Sequence, residues 1–110
     1  MADYKDFLPD VQRYAPGADE AVVKAIVKHL GIALAKKGGD ASMVACTADS
    51  ELNRIREGWL KKKLARAESD ADLDAAIAET CATMKGDNRK QRVTFYYLLA
   101  DHFGVLDTLV

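Results

Sequence analysis

The sequence predicts an all-α protein, a compact single-domain bundle of about five helices over residues 1–110. Apolar residues recur at steps of three and four through most of the chain, and capping residues with Pro/Gly punctuation fall between those stretches. No run shows the alternation of a half-buried strand. With 49% apolar and 30% charged residues, the 110-residue chain has ordinary globular composition and material for one core.

Tyr4, Phe7, Leu8, Val11 and Tyr14 share one face of a first helix, Pro9 fits its first turn, and Pro16-Gly17 ends it. Asp19 and Glu20 suit the positive end of a second helix. That helix carries Val22, Val23, Ile26, Val27, Leu30, Ala33 and Leu34 and is expected to stop at Gly38-Gly39. Ala41 to Ala48 reads as a partly buried connection that is loop, helical turn or short extended piece. Asp49 and Ser50 can cap a third helix, with Leu52, Ile55, Trp59, Leu60 and Leu64 in period as far as about Ala65. Ser69 and Asp72 approximate a capping box for a fourth, with Leu73, Ala76, Ile77, Cys81 and Met84 facing inward and Gly86 as the stop. Asp87 or Asn88 can start a fifth, Arg89 to Phe103, whose middle is apolar nearly all round and therefore buried on several sides. Gly31 and Gly58 fall inside the second and third helices, where glycine costs about 1 kcal/mol against alanine. Each marks a close crossing, a bend or plain tolerance.

A net charge of −1 and a pI near 6.1 give no whole-molecule attraction to nucleic acid or anionic lipid. The longest apolar stretch, Ala21 to Leu34, is interrupted by Lys24, Lys28 and His29, so no membrane span is expected. Cys46 and Cys81 lack metal-type spacing and no signal-peptide pattern opens the chain, which predicts free thiols in a reducing, cytoplasmic compartment.

Motifs with a chemical outline fail on inspection. Asp70, Asp72 and Asp74 have the opening spacing of a calcium loop, but Ala75 stands where its turn glycine belongs and Cys81 where its bidentate glutamate belongs. Leu30-Gly31-Ile32 resembles the turn of a DNA-binding helix pair, but Gly38-Gly39 would interrupt the recognition helix. No two of His29, His102, Cys46 and Cys81 lie on neighbouring turns of one helix, and no strained-elbow motif surrounds Cys46. The expectation is no catalysis, no metal and no cofactor.

Two charge features remain. Six basic residues between Arg54 and Arg66 face only Glu57 locally, and an antiparallel fourth helix would neutralise them with Glu68, Asp70, Asp72 and Asp74. Arg89, Lys90 and Arg92, with Lys85 just ahead, crowd the positive end of the fifth helix against Asp87 alone. Their counter-charge is either the N-terminal group Asp3, Asp6, Asp10, Asp19 and Glu20, or an external phosphate or acidic surface.

Arg13-Tyr14-Ala15-Pro16, Ile26 to Leu34, Asp72 to Ile77 and Arg92 to Leu99 resemble a family of small bacterial proteins, domain of unknown function 2853, over nearly the whole chain. The resemblance implies a helical, cytoplasmic, bacterial protein and transfers neither an activity nor a site residue.

The functional expectation is a non-enzymatic interaction module, a homodimer or a binder of another protein. Tyr4, Phe7, Trp59 and Tyr96 are its candidate anchors, with core packing as the competing role. The alternative is recognition of a phosphate-bearing ligand or nucleic acid by Lys85, Arg89, Lys90 and Arg92. A thiol enzyme at Cys46 is a third reading.

Overall fold

The computed structural model describes residues 4–31, 43–87 and 90–109. A 3-10 turn, Tyr4–Asp6, leads into helix α1, Leu8–Tyr14, with Pro9 in the first turn where a missing N–H breaks no helical bond. Helix α2, Glu20–Leu30, is capped by Asp19, whose carboxylate accepts from the Ala21 N–H at 2.9 Å, and it buries Val22, Val23, Ile26 and Val27. It ends at Gly31, whose backbone (φ 46°, ψ −111°) is a combination that side-chain-bearing residues avoid. Gly31 is thus a terminator and not an interior residue. The expected continuation through Ala33 and Leu34 to Gly38-Gly39 lies outside the described residues.

The connection expected over Ala41 to Ala48 contains a short extended piece. Strand β1, Met43–Val44, pairs antiparallel with strand β2, Lys90–Gln91, with Met43 opposite Gln91 and Val44 opposite Lys90. Two residues are too few for alternation to register in a sequence. Each strand feeds a helix, so this pairing sets the starts of the third and fifth helices side by side.

Helix α3, Asp49–Arg54, follows an Ala48 N-cap, so Asp49 and Ser50 form its first turn and do not cap it. It continues without a break as a π-helix, Ile55–Lys63, whose wider turn is seen in the bond from Leu64 N–H to the Trp59 carbonyl at 2.8 Å. Gly58 lies in this segment, and a Cβ there would meet nothing within 4 Å. It marks no close crossing.

Helix α4, Asp70–Thr83, is capped as expected: Ser69 Oγ accepts from the Asp72 N–H at 3.2 Å. Leu73, Ala76, Ile77 and Thr80 are buried along it, and Met84 closes it inside the core. Helix α5, Arg92–His102, starts later than expected because Lys90 and Gln91 are committed to β2. It packs against α1, α2 and α4, and Val93, Phe95, Tyr96, Tyr97, Leu99 and Ala100 are all buried, which is the multi-sided burial its composition requires. A closing 3-10 turn, Leu106–Leu109, returns onto α2. The result is a small all-α domain with five α-helices among the described residues.

Cys46 and Cys81 form a disulfide, with their Cα atoms 6.1 Å apart, which corrects the expectation of free thiols. Cys46 lies in the turn between β1 and α3, and Cys81 lies on α4, the helix beside α3. A sequence separation of 35 residues carries no hint of that proximity.

At the centre, Trp59 stacks on Tyr96 with ring centroids 4.6 Å apart, and its indole N–H donates to the Tyr96 carbonyl at 3.2 Å. The His29 ring tilts against the outer side of Trp59 at 5.1 Å. Burial and the nearby Lys63 hold the His29 pKa below its ordinary 6.5.

Gly31, Gly58 and His29 each generate a prediction. Gly31→Ala forces a side chain into a strained backbone and should cost about 1 to 3 kcal/mol in urea unfolding. Gly58→Ala, with open space for its Cβ, should be stabilising by roughly 0.5 to 1 kcal/mol. For His29 the folded pKa is depressed, so its contribution to stability is complete above 6.5 and is lost as pH falls from 6.5 through the folded pKa. Trp59 is the single tryptophan, so its fluorescence should titrate with a midpoint below 6.5, and His29→Gln should abolish that transition.

Candidate functional site

The start of α5 is where the predicted anion site can be examined. Arg92 opens the helix and is 6% exposed. Its guanidinium ion-pairs with Glu51 of α3, donates to the Met43 carbonyl of β1 at 2.9 Å and donates to the Tyr96 hydroxyl at 3.2 Å. The compensating acid is therefore Glu51, which was not among the candidates. It stands 41 residues away in sequence and is brought close because β1–β2 pairing aligns the starts of α3 and α5. Lys90 sits in β2 ahead of the helix and donates from Nζ to the Asp87 carbonyl at 2.9 Å. Lys85 is exposed just past α4, and Arg89 lies outside the described residues.

The N-terminal acids reach the same region by other routes. Asp10 accepts from the fully buried Thr94 hydroxyl of α5 and from Arg13 at 2.5 Å. Arg13 also bonds Asp87 at 2.7 Å, and the Tyr14 hydroxyl donates to Asp87 at 2.6 Å. Those bonds, Tyr14's first and Arg13's second, hold the Asp87 carboxyl below its usual range. The same contact, with burial, raises the Tyr14 hydroxyl. Asp19 is spent on capping α2, Glu20 accepts from Tyr4 at 3.5 Å, and Asp3 lies outside the described residues.

Part of the basic run is met by acids of α4, which runs antiparallel: Arg56 and Lys61 pair across to it, Arg66 pairs with Glu68 ahead of it, and Lys62 and Lys63 are exposed. Arg56 contacts both oxygens of Asp74 at 3.0 Å, Lys61 reaches Asp70 at 2.6 Å and Glu57 at 2.8 Å, and Arg66 pairs with Glu68 at 2.6 Å. Lys61 and then Arg56 hold the Glu57 carboxyl below its usual range, and Lys61 does the same for Asp70.

Three of the four proposed anchor residues are core. Phe7, Trp59 and Tyr96 are 4, 1 and 5% exposed, because α1, the π-helix and α5 converge on them. Tyr4 is half-buried against that core. Cys46 is in the disulfide and offers no thiol. Among the described residues, no group of three or more His, Cys, Asp or Glu side chains can hold a metal ion.

What sequence reasoning missed is a groove of about 320 Å³ between α3 and α4. Asp49, Leu52 and Asn53 line it from α3, and Asp74, Ile77 and Ala78 from α4. The floor is apolar and the rim acidic. The Arg56–Asp74 pair stands at one end. The Cys46–Cys81 bond stands at the other, Cys46 preceding Asp49 by three residues and Cys81 lying one helical turn past Ile77 and Ala78.

The sequence pattern of one family matches residues 6–107, nearly the full chain. The chain belongs to the family described as Protein of unknown function (DUF2853). The match covers α1 through α5, so the whole DUF2853 domain is the helical unit described above. No curated protein matches this DUF2853 chain. No helix among the described residues is long and apolar enough to cross a membrane.

The Arg92–Glu51 pair generates a prediction. Removing one partner of a nearly buried pair strands the other, so Arg92→Met or Glu51→Leu alone should cost about 3 to 5 kcal/mol by chemical denaturation. The double replacement should cost clearly less than the sum of the two, and a double-mutant cycle measures the difference.

Proposed function

We propose that this protein is a non-enzymatic interaction module that associates with a second copy of itself through the α3–α4 groove. The observation that supports the reading is the groove, where half-buried Leu52 and exposed Ala78 lie over buried Ile77 between the acids Asp49 and Asp74. A partner inserts an apolar side chain there with a basic group toward the rim. The chain has exposed lysines of its own at Lys62, Lys63 and Lys85. Its net charge of −1 produces little self-repulsion, which favours a second copy as the occupant.

The competing anion-binding reading has less to draw on. Arg92 is nearly buried against Glu51 and Lys90 is engaged with the Asp87 carbonyl, so recruiting either to a phosphate would break existing bonds. The cytoplasmic location expected from free cysteines loses that support with the disulfide.

Native mass spectrometry of the full chain tests the reading. The expected result is a dimer whose population changes little between about 50 and 200 mM salt, since an apolar contact is weakly screened. Ala78→Arg, which places a large cation in the groove, should give monomer with unchanged helical circular dichroism. A native chain that is monomeric throughout overturns self-association. Discrete extra mass lost on removing Lys90 would instead favour the anion reading.

A further inference from the structure

We propose that the Cys46–Cys81 disulfide is a redox latch on the α3–α4 groove. When the bond is oxidised the groove is clamped at both ends, and when it is reduced the groove opens at its Cys46 end, as far as the Glu51–Arg92 pair. The latch is a property of the chain itself; its consequence for association rests on the interaction reading above.

Placement is the first argument. α3 and α4 run antiparallel, and the residues that face across the groove follow one register from Arg56–Asp74, through Asn53 and Leu52 beside Ile77 and Ala78, to Cys46–Cys81. At the first end Arg56 holds Asp74 with Glu57 and Lys61 close by, and Lys61 continues to Asp70, so several charged groups fix it. At the second end the disulfide is the cross-link between the helices.

The two cysteines are also anchored unequally. Cys81 lies within α4, whose Ile77, Thr80 and Met84 are buried around it. Cys46 lies in the turn between β1 and α3, where the hold on one side is a two-residue strand with buried Val44 and the Arg92 bond to the Met43 carbonyl, and on the other begins only at the Glu51–Arg92 pair. On reduction Cys81 therefore stays in place and the Cys46 turn moves together with Asp49 and Ser50 ahead of Glu51, while the Glu51–Arg92 pair holds the rest of α3. Both cysteines are half-buried, so a small thiolate has access to a sulfur, unlike a bond sealed in a core.

The chemistry balances with a small-molecule thiol such as glutathione. Its thiolate attacks one sulfur, the Cys46–Cys81 bond breaks, and a mixed disulfide forms while the other cysteine leaves as thiolate and takes a proton. A second glutathione thiolate resolves the mixed disulfide, so two electrons and two protons have passed to the protein and glutathione disulfide departs. The reverse sequence, with glutathione disulfide as oxidant, closes the latch.

Hydrogen exchange with mass spectrometry on the full chain, oxidised and then reduced by glutathione, tests the latch. The expected result is exchange about tenfold or more faster at the turn after β1 and at Asp49 and Ser50, with the rest of α3 and all of α4 and α5 unchanged. Cys46→Ser should reproduce the reduced pattern without any reductant, and if that variant fails to fold the reduced native chain still supplies the comparison. Equal acceleration across α4 and α5 would show a general structural staple and overturn the proposal. So would an unchanged pattern, or a bond that native-state glutathione leaves intact. Oligomer mass is read separately in both redox states. A monomer with local opening keeps the latch and loses the dimer; a dimer without local opening does the reverse.

Discussion

The architecture depends on accommodating a guanidinium at the start of a buried helix. Arg92 stands at the positive end of α5 at 6% exposure, where both the helix dipole and desolvation oppose it. It is stable there because three different elements meet its donors: the Glu51 carboxylate from α3, the Met43 carbonyl from β1 and the Tyr96 hydroxyl one turn along α5. The short β1–β2 ladder positions the first two acceptors, since β1 precedes α3 as β2 precedes α5. The ladder is thus a registration device for two helices far more than a sheet, and the buried charge makes that registration specific.

A second polar junction fixes the other flank of α5. Thr94, fully buried, donates to Asp10, and Arg13 links Asp10 to Asp87, which also receives the Tyr14 hydroxyl. These contacts join α1 to residues immediately before and within α5. Between the two junctions, the apolar side chains of α5 are enclosed by α1, α2 and α4. The pairing of Asp87 weakens when its carboxyl protonates, and because its pKa is depressed that loss begins only below the ordinary carboxylate range, as pH falls.

The helices were legible because their signals are local. Asp19 and Ser69 cap where their side chains reach N–H groups two and three residues on, and the period of Val22, Val23, Ile26 and Val27 matches one buried face. The pairing of Arg56 with Asp74 and of Lys61 with Asp70 was legible as well, since it follows from two neighbouring helices meeting antiparallel. What escaped was non-local or too short. The apolar period continues past Gly31 and so predicts an interior position, although the Gly31 backbone ends α2 at Leu30. The two-residue strands give no periodic signal, and without them neither Glu51 opposite Arg92 nor Cys46 beside Cys81 can be inferred. Phe7, Trp59 and Tyr96 look the same in sequence whether they anchor a partner or fill a core.

The groove also has a physical origin in side-chain size. Where α3 faces α4 it presents Asp49 and Asn53, short polar side chains that keep contact with water, and α4 answers with Ala78, which reaches little beyond its backbone. Leu52, half-buried, and Ile77, buried, lie beneath them. Farther along, the π-helix buries Ile55, Trp59 and Leu60 in the core, all at or below 1% exposure. Close packing and an open groove therefore occur along one continuous helix, and the change from one to the other coincides with the change from α to π winding at Ile55. A cross-link at the loosely packed end bears on how far the helices separate, whereas the same bond beside Trp59 would have little left to restrain.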